Sequence, residues 1–325
     1  MKKWLKCIAA VSLVCLLLLV AGSGYFVYLV KSRTPGNFFD SNGFKIYYTD
    51  EGHGEPVILI HGLAANADIN WRRAGITGEL AKHFRVVAMD IRGHGLSGAS
   101  HDPGDYGMEM IRDVFRLMDH LKIERAHLAG YSLGGFITLK CVAEHPERVI
   151  SAAYCASGWK DPEGPEDILN PYRKPQREQS AGAAEMDALF DLLLPPTPQG
   201  RPGPYAIVPA ANDRFLSGPV DVLKRWIGDS IVDRQSVKAM KKAFRDFIVT
   251  REELAKMKTP GICFIGTNDG LYPYADDLHR VQPGVELVVL EGANHITTVL
   301  RPEFRRGLLQ FFEAHRTAPA PAEGK

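Results

Sequence analysis

The hexapeptide Gly130-Tyr131-Ser132-Leu133-Gly134-Gly135 is the part of the sequence most specific about chemistry. It fits Gly-x-Ser-x-Gly, follows the apolar run Ala126 to Ala129, and opens a segment of helical character, Leu133 to Glu144, that ends before Pro146. A serine on so sharp a strand-to-helix turn sits in a strained backbone conformation, and side chains at 130 and 134 would collide with their neighbours. Glycines remove the collision and leave Ser132 at a helix N-terminus, where partial positive charge favours an oxyanion. The pattern predicts Ser132 as a nucleophile.

A serine hydroxyl is a weak nucleophile and needs a base beside it. Of the eleven histidines, His295 is the best placed. It follows the run Val285 to Leu290 through Glu291-Gly292-Ala293-Asn294, which sets it over the same sheet edge as Ser132. The orienting acid must follow another neighbouring strand. Gly261 to Ile265 ends in Gly266-Thr267-Asn268-Asp269-Gly270, so Asp269 is expected to hold the imidazole tautomer and stabilise the imidazolium. Asp161, beyond the preceding strand, is the alternative acid, while Asp276 and Asp277 read as a solvated helix face. An oxyanion hole takes two backbone N–H groups. Leu133 supplies one and Leu63, in His61-Gly62-Leu63 after the run Val57 to Ile60, supplies the second. In this reading His61 braces the loop. His94 also lies near a strand end, but it precedes the serine, whereas this elbow goes with the chain order serine, acid, histidine.

These residues need a scaffold that brings several strand ends to one edge. Continuous apolar runs at Pro56 to Ile60, Phe84 to Met89, Ala126 to Ala129, Val149 to Cys155, Gly261 to Ile265 and Val285 to Leu290 suit strands buried on both faces of a parallel sheet. A hairpin precedes them, Phe38-Phe39 and Phe44 to Tyr48 joined by Asp40-Ser41-Asn42-Gly43. Helical periodicity fills most of the gaps, as at Met108 to Leu121 with its Met110, Ile111, Val114, Leu117, Met118 stripe. The fold class predicted is α/β, a mostly parallel sheet of about eight strands with flanking helices. The alternation breaks at residues 157–246, too long for a connecting loop and so expected to be a cap subdomain. That stretch contains the proline-rich Pro195 to Pro209 and the apolar Ala188-Leu189-Phe190 and Leu192-Leu193-Leu194. The core is expected at 34–156 and 247–316, with Thr250-Arg251-Glu252-Glu253 as a capping box where it resumes. Residues 317–325 are expected to be a disordered Ala/Pro-rich tail.

Residues 1–33 stand apart. From Cys7 to Val30 no side chain is charged, a length of roughly 36 Å as a helix against a hydrocarbon core of about 30 Å. Ala21-Gly22-Ser23 would suit a cleaved secretory signal, but Tyr25 to Val30 prolongs the apolar run past it, so an uncleaved signal-anchor helix is the expectation. Lys2, Lys3 and Lys6 precede the run while Lys31 and Arg33 follow it, favouring a single-pass membrane protein whose catalytic domain is extracytoplasmic. Lys plus Arg number 39 against 38 Asp plus Glu, a balance that gives no field for nucleic acid. Cys7 and Cys15 fall in the apolar segment, and Cys141, Cys155 and Cys263 are too widely spaced for a metal site or disulfide framework. Cys155 and Cys263 each sit within an apolar run and are expected to stay reduced.

From about Phe38 to Phe312 the chain resembles the α/β-hydrolase superfamily, in the capped branch. Four motifs match in order: His61-Gly62-Leu63; Asp90-x-Arg92-Gly93-x-Gly95-x-Ser97; Gly130-x-Ser132-x-Gly134-Gly135; and Gly266-x-x-Asp269 with Gly292-x-x-His295. The resemblance implies a serine hydrolase acting through an acyl-enzyme on a carboxylic ester, without metal or organic cofactor, on a small hydrophobic ester. Carbon–carbon hydrolysis, perhydrolysis and a slow-turnover ligand-binding relative are the alternatives on the same scaffold. Epoxide hydrolases and haloalkane dehalogenases are set aside, since they carry aspartate where this chain has Ser132.

Overall fold

A computed structural model describes residues 32–162 and 232–317, together with residues 20–22, 24, 25 and 28. One eight-stranded sheet runs through it: β1 Asn37–Ser41, β2 Phe44–Gly52, β3 Pro56–Ile60, β4 Arg85–Met89, β5 Ala126–Tyr131, β6 Val149–Cys155, β7 Gly261–Gly266 and β8 Val285–Leu290. Their spatial order is β1-β2-β4-β3-β5-β6-β7-β8. β2 pairs antiparallel with both β1 and β4, and every pairing from β4 through β3, β5, β6 and β7 to β8 is parallel. The carboxyl ends of β3 to β8 therefore share one edge, where ligands bind in open α/β sheets.

Why the apolar runs are continuous is visible in the burial. β5, β6 and β7 are buried at every position because helices cover both faces, whereas the edge strand β8 exposes part of its length. One face packs on the helices Met108–His120, Leu133–Glu144 and Tyr272–Val281, through residues such as Met110, Val114, Ile137 and Leu278. The other packs on Trp71, Leu80, Phe84 and the helix Pro302–Ala314 through Phe304, Leu308 and Phe312. Each such side chain, fully buried, contributes roughly 1.5–3 kcal/mol. Thr250 caps the helix Arg251–Lys256 by accepting from the Glu253 N–H while Glu253 reaches back to the Thr250 N–H, the reciprocal pair its sequence predicts.

Cys155 and Cys263 are free. In the β6–β7 register Cys155 stands opposite Phe264 and Tyr154 opposite Cys263, so the two thiols project to opposite faces of the sheet. Of the span expected to form a cap, residues 163–231 lie outside the described residues, and with them Pro195 to Pro209 and the apolar stretches expected there. After that gap the helix Arg234–Lys242 is described, capped by Asp233. No helix among the described residues is long and apolar enough to cross a membrane. The apolar segment of residues 7–30 lies largely outside them; the residues of it that are described are helical, with Val20, Tyr25 and Tyr28 exposed. Residues 318–325 also lie outside.

Candidate functional site

The elbow at the end of β5 has the strain its sequence predicts. Ser132 adopts φ 53°, ψ −114°, a region that costs an L-residue about 1–3 kcal/mol. A Cβ at Gly130 would run into the Gly134 carbonyl, and one at Gly134 would stand 2.6 Å from the His61 carbonyl oxygen. The Ser132 N–H donates to the Cys155 carbonyl at 2.8 Å, fixing the turn to β6, and the helix Leu133–Glu144 follows at once.

Three elements then converge. β8 ends at Leu290, and its loop carries His295 back over the elbow; Asn294 Oδ1 accepts the Ile296 and Thr297 N–H groups at 3.1 and 2.9 Å, which shapes that loop. β7 ends at Gly266 and places Asp269, whose carboxylate also accepts the Leu271 N–H at 2.9 Å. The Asn268 N–H donates to the Ala293 carbonyl at 2.9 Å, tying the two loops together. His295 Nε2 lies 2.9 Å from Ser132 Oγ, and His295 Nδ1 lies 3.0 and 2.9 Å from the two Asp269 oxygens. The geometry assigns the Nδ1 proton toward Asp269 and leaves Nε2 to accept from the hydroxyl. His295 and Asp269 are buried, and Ser132 is half-buried.

Asp161, the alternative acid, is elsewhere, paired with Arg251 at 2.8 Å. His61 is wholly buried: its Nδ1–H donates to its neighbour Gly62's carbonyl at 2.7 Å, and its Nε2 accepts the Ile91 N–H at 3.0 Å. Burial pushes its pKa down to about 3. His94 is likewise buried and pushed down by burial to about 3, its ring 5.3 Å from that of His61. It faces neither Ser132 nor Asp269 through any hydrogen bond among the described residues. The His61–Leu63 loop lies against the elbow, since a methyl at Gly62 would stand 3.2 Å from Ser132 Cβ. Among the described residues, neither the Leu63 nor the Leu133 N–H is spent on a backbone acceptor. Nor do any three His, Cys, Asp or Glu side chains there stand as a metal-binding group.

Several supporting residues escape sequence reasoning. The Tyr131 hydroxyl donates to the His295 carbonyl at 2.6 Å, fastening the loop that carries His295 to the residue beside Ser132. Asn70, in the π-helical turn Asp68–Arg72, accepts the Gly62 N–H at 2.9 Å. Tyr131 sits inside the elbow motif and so carried a positional signal; Asn70 carried none.

The family model describing the alpha/beta hydrolase fold matches residues 55–302. A stretch of 104 residues is 39% identical to the dihydrolipoyllysine-residue acetyltransferase component of the acetoin cleaving system of Pseudomonas putida, covering 32% of this chain but only 27% of that protein. The AB hydrolase superfamily protein YisY of Bacillus subtilis is 26% identical over 259 residues, 77% of this chain and 88% of its own. Among solved structures, the enol-lactonase from Burkholderia xenovorans LB400 superposes with a TM-score of 0.60 at 25% identity, over 85% of this chain and 100% of that one. The sheet order, the elbow and the match over residues 55–302 agree, and the chain belongs to the α/β-hydrolase family.

Proposed function

We propose that the chain hydrolyses a carboxylic ester with Ser132 as nucleophile, His295 as general base and Asp269 as the acid that orients it. The observation that carries this reading is the unbroken contact from Ser132 Oγ through His295 to both oxygens of Asp269. Ser132 attacks the carbonyl as its proton passes to His295 Nε2, and Asp269 stabilises the imidazolium so formed. The N–H groups of Leu63 and Leu133 receive the developing oxyanion. His295 returns the proton to the leaving alcohol, then serves again as base when water cleaves the acyl-enzyme. Similarity to an enol-lactonase supports ester chemistry, a lactone being a cyclic ester. In this reading residues 157–246 cap the site and favour a hydrophobic substrate.

The test is a panel of esters of graded acyl length on the wild-type protein beside Ser132→Ala, with fluorophosphonate labelling as the second readout. Turnover of esters and labelling that both vanish in Ser132→Ala support the reading. Robust labelling of the variant would sink it, and turnover of diketones or peroxide in preference to every ester would move the same three residues to carbon–carbon hydrolysis or perhydrolysis. Turnover no faster than a few events per hour would point to a ligand-binding relative.

We also propose that residues 7–30 anchor the chain in a membrane, with the hydrolase domain outside the cytoplasm. The uncharged run and the exposed apolar side chains on its helical residues support this. The full chain should stay with membranes in alkaline carbonate, while a fragment starting near Lys31 is released. A mature secreted species beginning near Gly24 would replace the anchor with a cleaved signal.

A further inference from the structure

Arg33 directly follows the N-terminal apolar run and its linking Lys31-Ser32, yet its guanidinium is almost buried, with the side chain 10% exposed. Its Nε donates to Asp68 Oδ2 at 3.1 Å and its Nη2 donates to Asp90. Those two carboxylates are 4% and 0% exposed. Thr34 adds its N–H and hydroxyl to Asp68 at 2.9 and 2.7 Å, and Tyr47 lies beneath the guanidinium at 5.3 Å. A passive tether requires none of this. Exposed ion pairs contribute little, whereas buried carboxylates are costly unless a cation is shared between them.

What the carboxylates hold is the floor of the site. Asp90 accepts the Ala67 and Leu96 N–H groups, both at 2.9 Å. Asp68 opens the π-helical turn whose Asn70 holds the Gly62 N–H. Gly62 backs onto Ser132 and precedes Leu63. Arg33 thus reaches the loop beside the nucleophile through Asp68 and Asn70. We propose that Arg33 is a positioning residue for the oxyanion loop, so that residues 32–34 belong to the architecture of the active site as well as linking it to the N-terminal run. The proposal rests on the reading of Leu63 as an oxyanion donor.

The physical argument is one of shared charge. Without the guanidinium, Asp90 keeps only its two amides and Asp68 keeps Thr34 and Arg72, the latter at 3.1 Å. The two buried carboxylates then face each other without the cation between them, and the turn that carries Asn70 is free to move away from Asp90. Losing an oxyanion donor outright lowers kcat by about 10²–10³. A displaced donor should cost less, about tenfold, and should act on kcat rather than KM, because the carbonyl oxygen is held most tightly in the transition state. Lysine keeps the charge but cannot fork between two carboxylates, so it should restore only part of the loss.

The experiment uses the full chain and the variants Arg33→Ala and Arg33→Lys, each checked for folding. Two quantities are read: amide hydrogen exchange of peptides covering 61–72, and the rate of labelling by a fluorophosphonate with kcat and KM on a small acetate ester. The expected result is faster exchange over 61–72 in Arg33→Ala. Labelling and kcat should fall about tenfold with KM within about threefold, and Arg33→Lys should lie between. Unchanged exchange overturns the clamp whatever happens to activity. Faster exchange with an unchanged labelling rate shows that the clamp stops short of the oxyanion loop, which overturns the positioning role. If the wild-type protein is not labelled at Ser132, the catalytic reading falls on its own, and the exchange measurement still decides whether Arg33 holds the loop. Should Arg33→Ala fail to fold, Arg33→Lys carries both readouts.

Discussion

His61 and His295 each follow a parallel strand at the same edge of the sheet, the first after β3 and the second after β8. Their ring nitrogens meet opposite surroundings. His61 spends both nitrogens on backbone groups, Nδ1–H on Gly62 and Nε2 on the Ile91 N–H, and a proton on Nε2 would have to expel that amide. His295 instead has a carboxylate against Nδ1, which accepts the proton there, and a hydroxyl against Nε2, which can supply one. What separates the brace from the proposed base is whether the second nitrogen faces an amide donor, as in His61, or a hydroxyl, as in His295. The residue type and the position along the strand do not decide it.

The sharpest way to break this contrast is to substitute both positions alike. His295→Gln should lower kcat by about three orders of magnitude or more, because glutamine cannot take the serine proton. His61→Gln can still donate to Gly62 and accept from Ile91, so activity should stay within about tenfold, about 1.4 kcal/mol in the barrier. His61→Ala strands both backbone groups and should destabilise the fold by about 1–3 kcal/mol for each left unsatisfied. Steady-state rates and urea midpoints on the same preparations check all three. A folded His61→Gln protein as inactive as His295→Gln would mean that His61 takes part in proton transfer and the contrast is false.

The elements that hold His295 were far more legible in sequence than those that hold His61. Val285–Leu290 and Val149–Cys155 appear in the structure with the limits read from their apolar runs, as does the helix Leu133–Glu144. Burial on both faces forces a continuous apolar run, and the elbow forces glycines at 130 and 134, so local sequence carries both signals. The span between Leu63 and Phe84 gave no such signal. Its π-helical turn Asp68–Arg72 and the short helix Ile76–Leu80 are too brief for periodicity to declare. Asn70 is a polar residue in a loop until its partner, eight positions earlier, is brought beside it. Arg33 read as a flanking charge of the apolar run; its pairing with Asp68 and Asp90 spans 35 and 57 residues, beyond any local pattern.

A smaller effect sharpens the same contrast through acid stability. Burial holds the folded pKa of His61 at about 3, against 6.5 for the free side chain. His94 is held at about 3 and His127 at about 4, for the same reason. In each case the unfolded chain takes up a proton that the folded chain refuses. Stability from these groups is thus complete above pH 6.5, and it declines as pH falls from there toward the folded values. Carboxylates lowered in the fold, such as Glu109 and Asp233, begin to act only below about 4.5, and Asp90 and Asp113, raised by burial, work in the opposite sense. Among the described residues with a resolved shift, the loss on first acidification, from pH 6.5 down to about 4.5, therefore falls to His61, His94 and His127. One such group contributes a slope of at most about 1.4 kcal/mol per pH unit. His61→Gln removes one titrating group, so urea midpoints between about pH 7 and pH 5 should depend less steeply on pH in the variant than in the wild-type protein. Parallel curves would mean that His61 is protonated as readily in the fold as in the unfolded chain, and its role as a neutral brace would be lost.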